Sequence, residues 1–215
     1  AAGGDRPRGR LRISAPLLFG QLAMGKLAAG FAAQHPDVRL EVTMEDRPVD
    51  MVEEGIDLVI RVNPKVDENL HGRAFLHDRL VVVANPALAR PEAGQAVPAV
   101  VRGFGEHPPA WQLHTATGPL SVAITPVLRL SSMLMVRDAV RFGAGAAQLP
   151  KSLVSHDLST GRLAHWGDIE GSEISLWALY PSRRLLSARV SAFLAHLRAA
   201  FPTGEPEELA AYVRV

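Results

Sequence analysis

The amino-acid sequence predicts an α/β protein of two lobes, each a mostly parallel sheet flanked by helices. Three observations support this fold class. Strand-like and helix-like segments alternate over residues 10–84, an order typical of parallel strands joined by helical crossovers. A second α/β alternation follows the Pro-, Gly- and His-rich residues 91–118, and a single amphipathic helix comes near the end of the chain. We expect this last helix to pack on the first lobe.

The first predicted helix begins after a short strand at residues 11–14. Pro16 fits its first turn. The backbone N–H groups of that turn have no acceptor within the helix, so a proline, which has no N–H, loses no hydrogen bond there. Apolar residues recur at every fourth position from Phe19 to Phe31, which predicts one buried helix face. The helix is expected to end near Pro36, since the residue before a proline disfavours helix.

Four further segments complete the first lobe. Strict alternation of apolar and polar residues over 38–44 predicts a strand with one buried face. Residues 48–54 predict a short helix that Gly55 ends, and 56–62 predict a buried strand. The apolar run 80–84 predicts a central strand with both faces covered.

The second lobe is predicted from shorter segments. Its expected strands are 97–102, 120–124, 146–149 and 174–180, and its expected helix is 133–142. The closing helix shows one apolar stripe that Pro202 ends. This stripe consists of Leu186, Val190, Leu194, Leu197 and Phe201.

Both ends of the chain are predicted to lie outside the folded domain. The basic residues between positions 6 and 12 stand on a Gly/Pro-rich lead that is typical of a solvated linker. Because the first residue is not Met, we interpret residues 1–9 as a linker remnant, and we expect 203–215 to be a tail. The predicted domain is therefore 10–202, with lobe I at 10–84 and 184–202 and lobe II at 85–183.

The composition narrows the possible function classes. The 215 residues include no cysteine, which excludes disulfides, thiolate metal sites and thiol nucleophiles. The sequence has neither a run of about 18 apolar residues nor a signal-peptide pattern, so we expect no membrane span and a cytoplasmic location. A net charge of +1 is low for a DNA-binding domain, because such domains gain most of their affinity by neutralising phosphates.

Two glycine motifs resemble nucleotide-binding patterns but stand in the wrong context. Gly20 to Lys26 has the spacing of a phosphate-binding loop, yet Gly20 lies inside the predicted helix and Leu27 stands where magnesium binding needs Ser or Thr. Gly143 and Gly145 follow a helix, whereas a dinucleotide-binding loop follows a strand. We interpret them as a helix end and a tight turn.

The remaining polar residues form no catalytic or metal-binding motif. No G-x-S-x-G pattern surrounds any serine, so a serine hydrolase has no support. His71, His77 and Asp78 lack the spacing of a compact metal site. The sequence therefore predicts no catalytic residue, no metal and no cofactor.

Several stretches resemble the effector-binding domain of LysR-type transcriptional regulators. Residues 46–61, Asp-Arg-Pro-Val-Asp-Met-Val-Glu-Glu-Gly-Ile-Asp-Leu-Val-Ile-Arg, closely resemble the family's passage from its second helix to its third strand. Similar matches occur at 80–88, 143–150, 158–163, 180–185 and 190–197. The agreement is collinear over about residues 10–201. It implies a fold like the type 2 periplasmic binding proteins, a homodimer or homotetramer, and a winged helix-turn-helix preceding residue 1.

The resemblance also implies a set of effector contacts at the ends of strands and the starts of helices. They are Ser14, Ala15, Pro16, Arg47, Pro48, Arg61, Arg102, Phe104, Ser131 and Ser132. Helix N-termini carry free N–H donors and arginine carries a forked donor, so an organic anion such as a carboxylate is the favoured ligand. For Arg61, a structural salt bridge at a strand end remains an open alternative.

The predicted function is ligand sensing and dimerisation in a DNA-binding regulator, with a small anionic effector bound between the lobes. DNA contact is expected only through an N-terminal domain that this chain lacks. The main alternative is a stand-alone solute-binding protein of a transport system, which would need export. A third is an enzyme on the same two-lobed shape, for which the sequence offers no acid/base or metal cluster.

Overall fold

The computed structural model describes residues 5–182 and 184–214. The chain forms two compact units, the first from residues up to His77 together with Ile174–Val213, the second from Asp78–Glu173. In chain order the elements are β1 (Gly9–Ala15), α1 (Leu17–Phe19), a π-helical segment (Gly20–Met24), α2 (Gly25–Gln34), β2 (Val38–Met44), β3 (Leu58–Val62), β4 (Leu70–Ala84), β5 (Ala96–Arg102), β6 (Ala110–Thr115), β7 (Gly118–Leu130), α3 (Met133–Arg141), β8 (Ala147–Pro150), α4 (Lys151–Ser159), β9 (Ala164–Pro181), α5 (Ala188–Ala200) and α6 (Pro206–Val213).

The sheet of the first unit has the order β2-β1-β3-β9. Strand β1 is parallel to both of its neighbours, with Ile13 opposite Val42 of β2 and Leu58 of β3. Strand β9 pairs antiparallel with β3, which places Trp177 opposite Arg61. The expected parallel β-α-β order is therefore present in β1 to β3.

Helices α1, α2 and α5 cover this sheet with an apolar core. Its fully buried side chains come from strands and helices alike: Leu11, Ile13, Leu58, Ile60, Phe31, Phe193 and Leu197. The rings of Phe31 and Phe193 meet edge to face at 5.2 Å, so α2 and α5 pack directly on each other. Burying one such side chain stabilises the fold by about 1.5 to 3 kcal/mol. The closing helix packs on the first unit, as expected, but Leu186, the first residue of its predicted stripe, precedes α5 and is exposed.

The C-terminal segment differs from the tail expected at 203–215. Residues 206–213 form α6, which begins at a proline and buries Leu209 in the core of the first unit. The Glu208 carboxylate accepts the N–H groups of Thr203 at 3.2 Å and Gly204 at 2.6 Å, which fixes the turn before the helix. The segment is short, and its single buried apolar turn gives little periodicity to detect. Residues 1–4 of the expected linker, Arg183 and Val215 lie outside the described residues.

The sheet of the second unit is mixed, whereas a mostly parallel sheet was expected. Strand β5 is parallel to β7, but β6 is antiparallel to both β7 and β9, and β4 is antiparallel to β8. The cause is local. Only residues 116–117 separate β6 from β7, and a loop of that length joins antiparallel strands. Strand β6 itself lies in the Pro- and Gly-rich residues 91–118, where a strand was predicted only at 97–102.

The unit boundaries also differ from the predicted lobe boundaries at 84/85 and 183/184. They lie at 77/78 and 173/174, inside β4 and β9, which run on through both units. The apolar run 80–84 belongs to the second unit because Val82 and Ala84 pack there with Trp111. An apolar run alone does not indicate which core it enters.

The short helix predicted at 48–54 does not form. Residues 51–55 are a turn in which the Asp50 carboxylate accepts the N–H groups of Val52 and Glu53, at 3.1 and 3.0 Å. An Asp that accepts these N–H groups acts as an N-cap, so Asp50 starts one turn, and Gly55 ends it before a second turn can form. Gly55 then leaves the turn with a φ of +67°, a conformation that glycine adopts without strain.

Candidate functional site

Two neighbouring parallel strands of the first unit deliver Ser14 and Arg61 to the same sheet edge. Ser14 lies near the end of β1 and is fully buried, and Arg61 lies near the end of β3. The Arg61 guanidinium donates from Nη2 to Ser14 Oγ at 3.1 Å and from Nη1 to the carbonyl of Ile60 at 2.8 Å. We call this pair the Ser14–Arg61 corner.

Arg61 is a half-buried charge that pairs with no carboxylate of the described residues. Burial lowers the pKa of its guanidinium, and the negative charges of Glu45 and Asp46 partly oppose that shift. No Asp or Glu within 5–182 or 184–214 forms an ion pair with it. A guanidinium has five N–H donors, so the two observed hydrogen bonds leave three for a ligand. The structure therefore gives no support to a structural salt bridge at Arg61.

The helix start beside this corner is partly occupied. Ala15 and Pro16 lead into α1, and the first N–H of that helix, from Leu17, donates to Asp46 Oδ1 at 3.0 Å. The Ala15 carbonyl accepts the N–H of Glu45 at 2.8 Å, which holds this acidic segment against the end of β1. An incoming anion would therefore meet a negative charge at the helix start, so that Arg61 is its main donor here.

Arg47, unlike Arg61, is bound by neighbouring residues of its own segment, among them Pro48. The exposed Arg47 guanidinium forms ion pairs with Glu45 at 2.5 Å and Glu54 at 2.6 Å, and its Nη1 donates to the Pro48 carbonyl at 3.3 Å. The hydrogen bond with Glu54 is the main reason that the pKa of Arg47 is raised. Arg47 is thus already neutralised by protein carboxylates, unlike Arg61.

The predicted contacts of the second unit gather at the corresponding edge of its own sheet. Arg102 ends β5 opposite Leu130, which ends the parallel strand β7. Phe104 follows with 74% of its surface exposed. Ser131 is exposed, and the Ser132 hydroxyl caps α3 by accepting the N–H of Leu134 at 3.2 Å. The structure thus brings these four predicted residues together within the second unit.

Two charged residues of interest were not predicted. Asp46 occupies the helix start, and Arg137 lies on α3 with only 15% of its side chain exposed. Burial and the nearby charge of Arg141 lower the pKa of Arg137, and its Nε has no hydrogen-bond partner within the described residues. An Arg-Asp pair in an amphipathic helix looks like a solvated face, so the sequence contains no signal for the burial of Arg137.

Two observations on the described part of the chain concern membranes and metal ions. No helix there is both long enough and apolar enough to cross a membrane. Within the same residues, no group of three or more His, Asp or Glu side chains is placed to hold a metal ion.

Known proteins share both the sequence pattern and the fold. The family model of the LysR substrate binding domain matches residues 4–202. The HTH-type transcriptional regulator PtxR of Pseudomonas aeruginosa is 31% identical over 208 residues, which cover 89% of this chain and 64% of PtxR. The HTH-type transcriptional regulator DmlR of Escherichia coli is 28% identical over 93% of this chain and 68% of its own length. The chain thus spans about two thirds of the length of these relatives.

The fold agrees with a solved regulatory domain. The regulatory domain of CrgA, a LysR-type transcriptional regulator from Neisseria meningitidis, superposes with a TM-score of 0.74 at 21% identity, covering 91% of this chain and all of that domain. At this identity the likeness concerns the fold alone. Together with the family model, it confirms the resemblance that the motifs indicate. The chain belongs to the LysR substrate-binding domain family.

Proposed function

We propose that this chain is the effector-sensing part of a cytoplasmic transcriptional regulator, and that a small organic anion, in the simplest case a carboxylate, binds at the Ser14–Arg61 corner. One observation carries the proposal. The half-buried Arg61 guanidinium is held by the buried Ser14 hydroxyl, yet no carboxylate of the described residues neutralises it.

Electrostatics favour an anion at this position. A charge removed from water is costly unless it is paired and hydrogen-bonded, so a ligand carboxylate would supply what the chain does not. Asp46 repels an anion from the start of α1, which should orient the carboxylate toward the guanidinium. Ala15, Pro16, Arg47, Pro48, Arg102, Phe104, Ser131 and Ser132 stay predicted contacts.

Regulation would follow from two conformations with different effector affinities. The relatives are named HTH-type transcriptional regulators, and this chain matches about two thirds of their length. With a net charge of +1 it offers little attraction for DNA phosphates. We therefore assign DNA contact in the whole protein to a helix-turn-helix segment outside this chain, and assign no catalysis to the chain itself.

A ligand screen tests the effector site. Small aromatic and aliphatic carboxylates are screened by thermal shift, and calorimetry then compares wild type with Arg61→Ala. Loss of a charge-assisted hydrogen bond, worth about 1.5 to 3 kcal/mol, should weaken a carboxylate by roughly ten- to a hundredfold. The neutral amide analogue should bind equally to both proteins.

Arg39→Ala is the matched control, because Arg39 is an exposed strand arginine in the same unit. Equal carboxylate affinity in wild type, Arg61→Ala and Arg39→Ala, with all three folded, would remove the effector from this corner. Ser131→Ala is measured alongside as a test of the predicted contact in the second unit.

We also propose a homodimer that pairs the helical stretch 17–31 of one copy with residues 133–142 of another. Both stretches expose large apolar side chains, namely Leu17, Met135 and Phe142, the last with 87% of its surface exposed. Light scattering after size exclusion should give a dimer mass at tens of micromolar, and Phe142→Ser should lower it toward the monomer. Val66→Ser is the control, since Val66 is equally apolar and fully exposed. A wild-type monomer would contradict the pairing.

A further inference from the structure

A cavity of about 620 Å³ lies within the first unit and does not include the Ser14–Arg61 corner. Its walls come from β4, β9, α5 and residues 201–204. The charged, polar and aromatic side chains of its lining include His71, Arg73, His77, Tyr180, Arg198 and Phe201. The volume is in the range of known small-molecule sites.

The lining of this cavity is cationic. Among the described residues around it, two are arginines, two are histidines and none is Asp or Glu. Arg73 and Arg198 have no ion pair and no side-chain hydrogen bond with any described residue. The carboxylate of Glu208 is not among the lining residues and accepts the N–H groups of two that are, Thr203 and Gly204. The two arginines thus place positive charge here that no Asp or Glu of the described lining neutralises.

The other part of the lining is apolar. Phe75, Leu197 and Phe201 contribute buried side chains, and the rings of Phe75 and Phe201 lie 5.6 Å apart. Tyr180 meets the ring of His71 at 6.2 Å in an edge-to-face arrangement, which places an aromatic wall beside the cationic groups. A ligand that fits both parts carries a negative group and an apolar body.

The walls are fixed by backbone contacts, so the cavity is preformed. The N–H of His77 donates to the Gly204 carbonyl at 2.7 Å, which fastens residues 201–204 to β4. On the other side, a Cβ added to Gly72 would lie 1.9 Å from the Ala178 carbonyl oxygen, so β4 and β9 approach each other more closely than any side chain at 72 would allow. A preformed site loses little entropy on binding.

We propose that this cavity is a second ligand site, which takes an aryl carboxylate through Arg73 and Arg198 and holds its ring against Phe75, Tyr180 and Phe201. Forked guanidinium donors suit a carboxylate, and the aromatic lining suits a flat apolar body. The site does not depend on the effector corner, because it shares no residue with it.

Fluorine NMR provides the test, since the chain has only two tyrosines, Tyr180 and Tyr212. The 215-residue protein is labelled with 3-fluorotyrosine, Tyr180→Phe assigns the signals, and benzoate is titrated. The Tyr180 signal should shift in a saturable manner. Arg73→Ala and Arg198→Ala should each raise the dissociation constant by about tenfold or more, Arg73→Lys should weaken binding less, and Arg61→Ala and Arg39→Ala should leave it unchanged.

Two probes separate the roles of charge and ring. Benzamide, which lacks the charge, should bind much more weakly than benzoate, and inorganic phosphate, which lacks the ring, should do the same. The proposal is overturned if benzoate leaves the Tyr180 signal in place, if the shift survives in a folded Arg73→Gln/Arg198→Gln double variant, or if phosphate matches benzoate. Loss of the shift in Arg61→Ala would assign it to the effector corner and would equally overturn a second site.

Discussion

Each unit of this protein buries a serine that is hydrogen-bonded to an ionisable side chain. The two pairs differ in whether the ionisable group still has unused hydrogen-bonding capacity. In the first unit Ser14 accepts from Arg61, and in the second Ser152 donates to Asp78 at 2.5 Å. Burial acts on both in the same sense, toward the neutral form. It lowers the pKa of the Arg61 guanidinium and raises that of the Asp78 carboxyl.

We call the Asp78–Ser152 pair closed, because hydrogen bonds from described residues occupy both oxygens of the Asp78 carboxylate. Its Oδ1 accepts the N–H groups of Arg79 at 2.9 Å and Ser152 at 3.3 Å, and its Oδ2 accepts the Ser152 hydroxyl. These bonds join β4 to the start of α4, so the carboxylate acts as a helix cap supplied from another strand. The Arg61 pair still has unused donors. The comparison shows that a buried charge indicates a binding site only where the protein leaves its hydrogen bonds unfilled.

The largest expected effect is the loss of the closed pair. Asp78→Ala removes the acceptor for the buried Ser152 N–H and hydroxyl, and leaving such groups unpaired should cost about 2 to 4 kcal/mol of unfolding free energy. Arg61→Ala should cost less than about 1 kcal/mol, because it also removes a desolvated charge. Urea denaturation of both variants measures the difference.

Asp78→Asn is the control for this comparison, since an amide oxygen of nearly the same shape can still accept from Ser152. It should retain most of the stability that Asp78→Ala loses. If Arg61→Ala proved as destabilising as Asp78→Ala, the Ser14–Arg61 corner would be structural in the same way, and the contrast between open and closed pairs would fail.

A smaller effect is expected on the pH dependence of stability. Burial raises the pKa of the Asp78 carboxyl, with the Ser152 hydrogen bond opposing, so the folded state holds its proton more tightly than the unfolded state. That contribution is fully present below the ordinary Asp pKa of about 3.9 and is lost as pH rises through the raised value. Stability of wild type relative to Asp78→Asn should therefore fall as pH increases above about 4.

Thermal or urea unfolding of both proteins across this pH window gives the difference directly. A difference that instead grows with pH would mean that the three hydrogen bonds outweigh desolvation and that the carboxylate is stabilised by its surroundings. The same series on Arg61→Ala should run parallel to wild type, because the arginine does not titrate in this window.

The sequence predicted the helices and strands whose apolar pattern matches the core that they pack against. Residues 38–44 alternate strictly and form β2, and the stripe from Val190 to Phe201 packs as expected. The pattern failed where the partner is distant or the segment is short. Residues 110–115 form β6 because Trp111 and Leu113 find a core there, although their neighbours suggested a loop. The unit boundary inside β4 could not be predicted either, because the apolar pattern of a strand does not change where the strand passes from one core into another.

For the candidate site, the sequence identified positions better than roles. Ser14 and Arg61 were both predicted as effector contacts at strand ends, and the structure joins their side chains by a hydrogen bond that the sequence did not predict. The spacing of Arg47 and Arg61 gave no means of telling a neutralised arginine from an available one. That distinction depends on Glu45, two residues before Arg47, and on Glu54, which the turn at 51–55 brings to Arg47 although a helix was predicted there.

The smallest expected effect separates the two serines. Ser14→Ala removes the acceptor that orients the Arg61 guanidinium but none of the donors that face a ligand, so a carboxylate should bind only about threefold more weakly, near 0.7 kcal/mol. Ser152→Ala should leave that affinity unchanged and lower the unfolding free energy by about 1 kcal/mol, because Asp78 loses one of its bonds. Calorimetry and urea denaturation on both variants separate the two roles, orientation in the first unit and capping in the second. An affinity loss in Ser14→Ala as large as in Arg61→Ala would mean that the hydroxyl itself contacts the effector, and the guanidinium would then be its support and not the main donor.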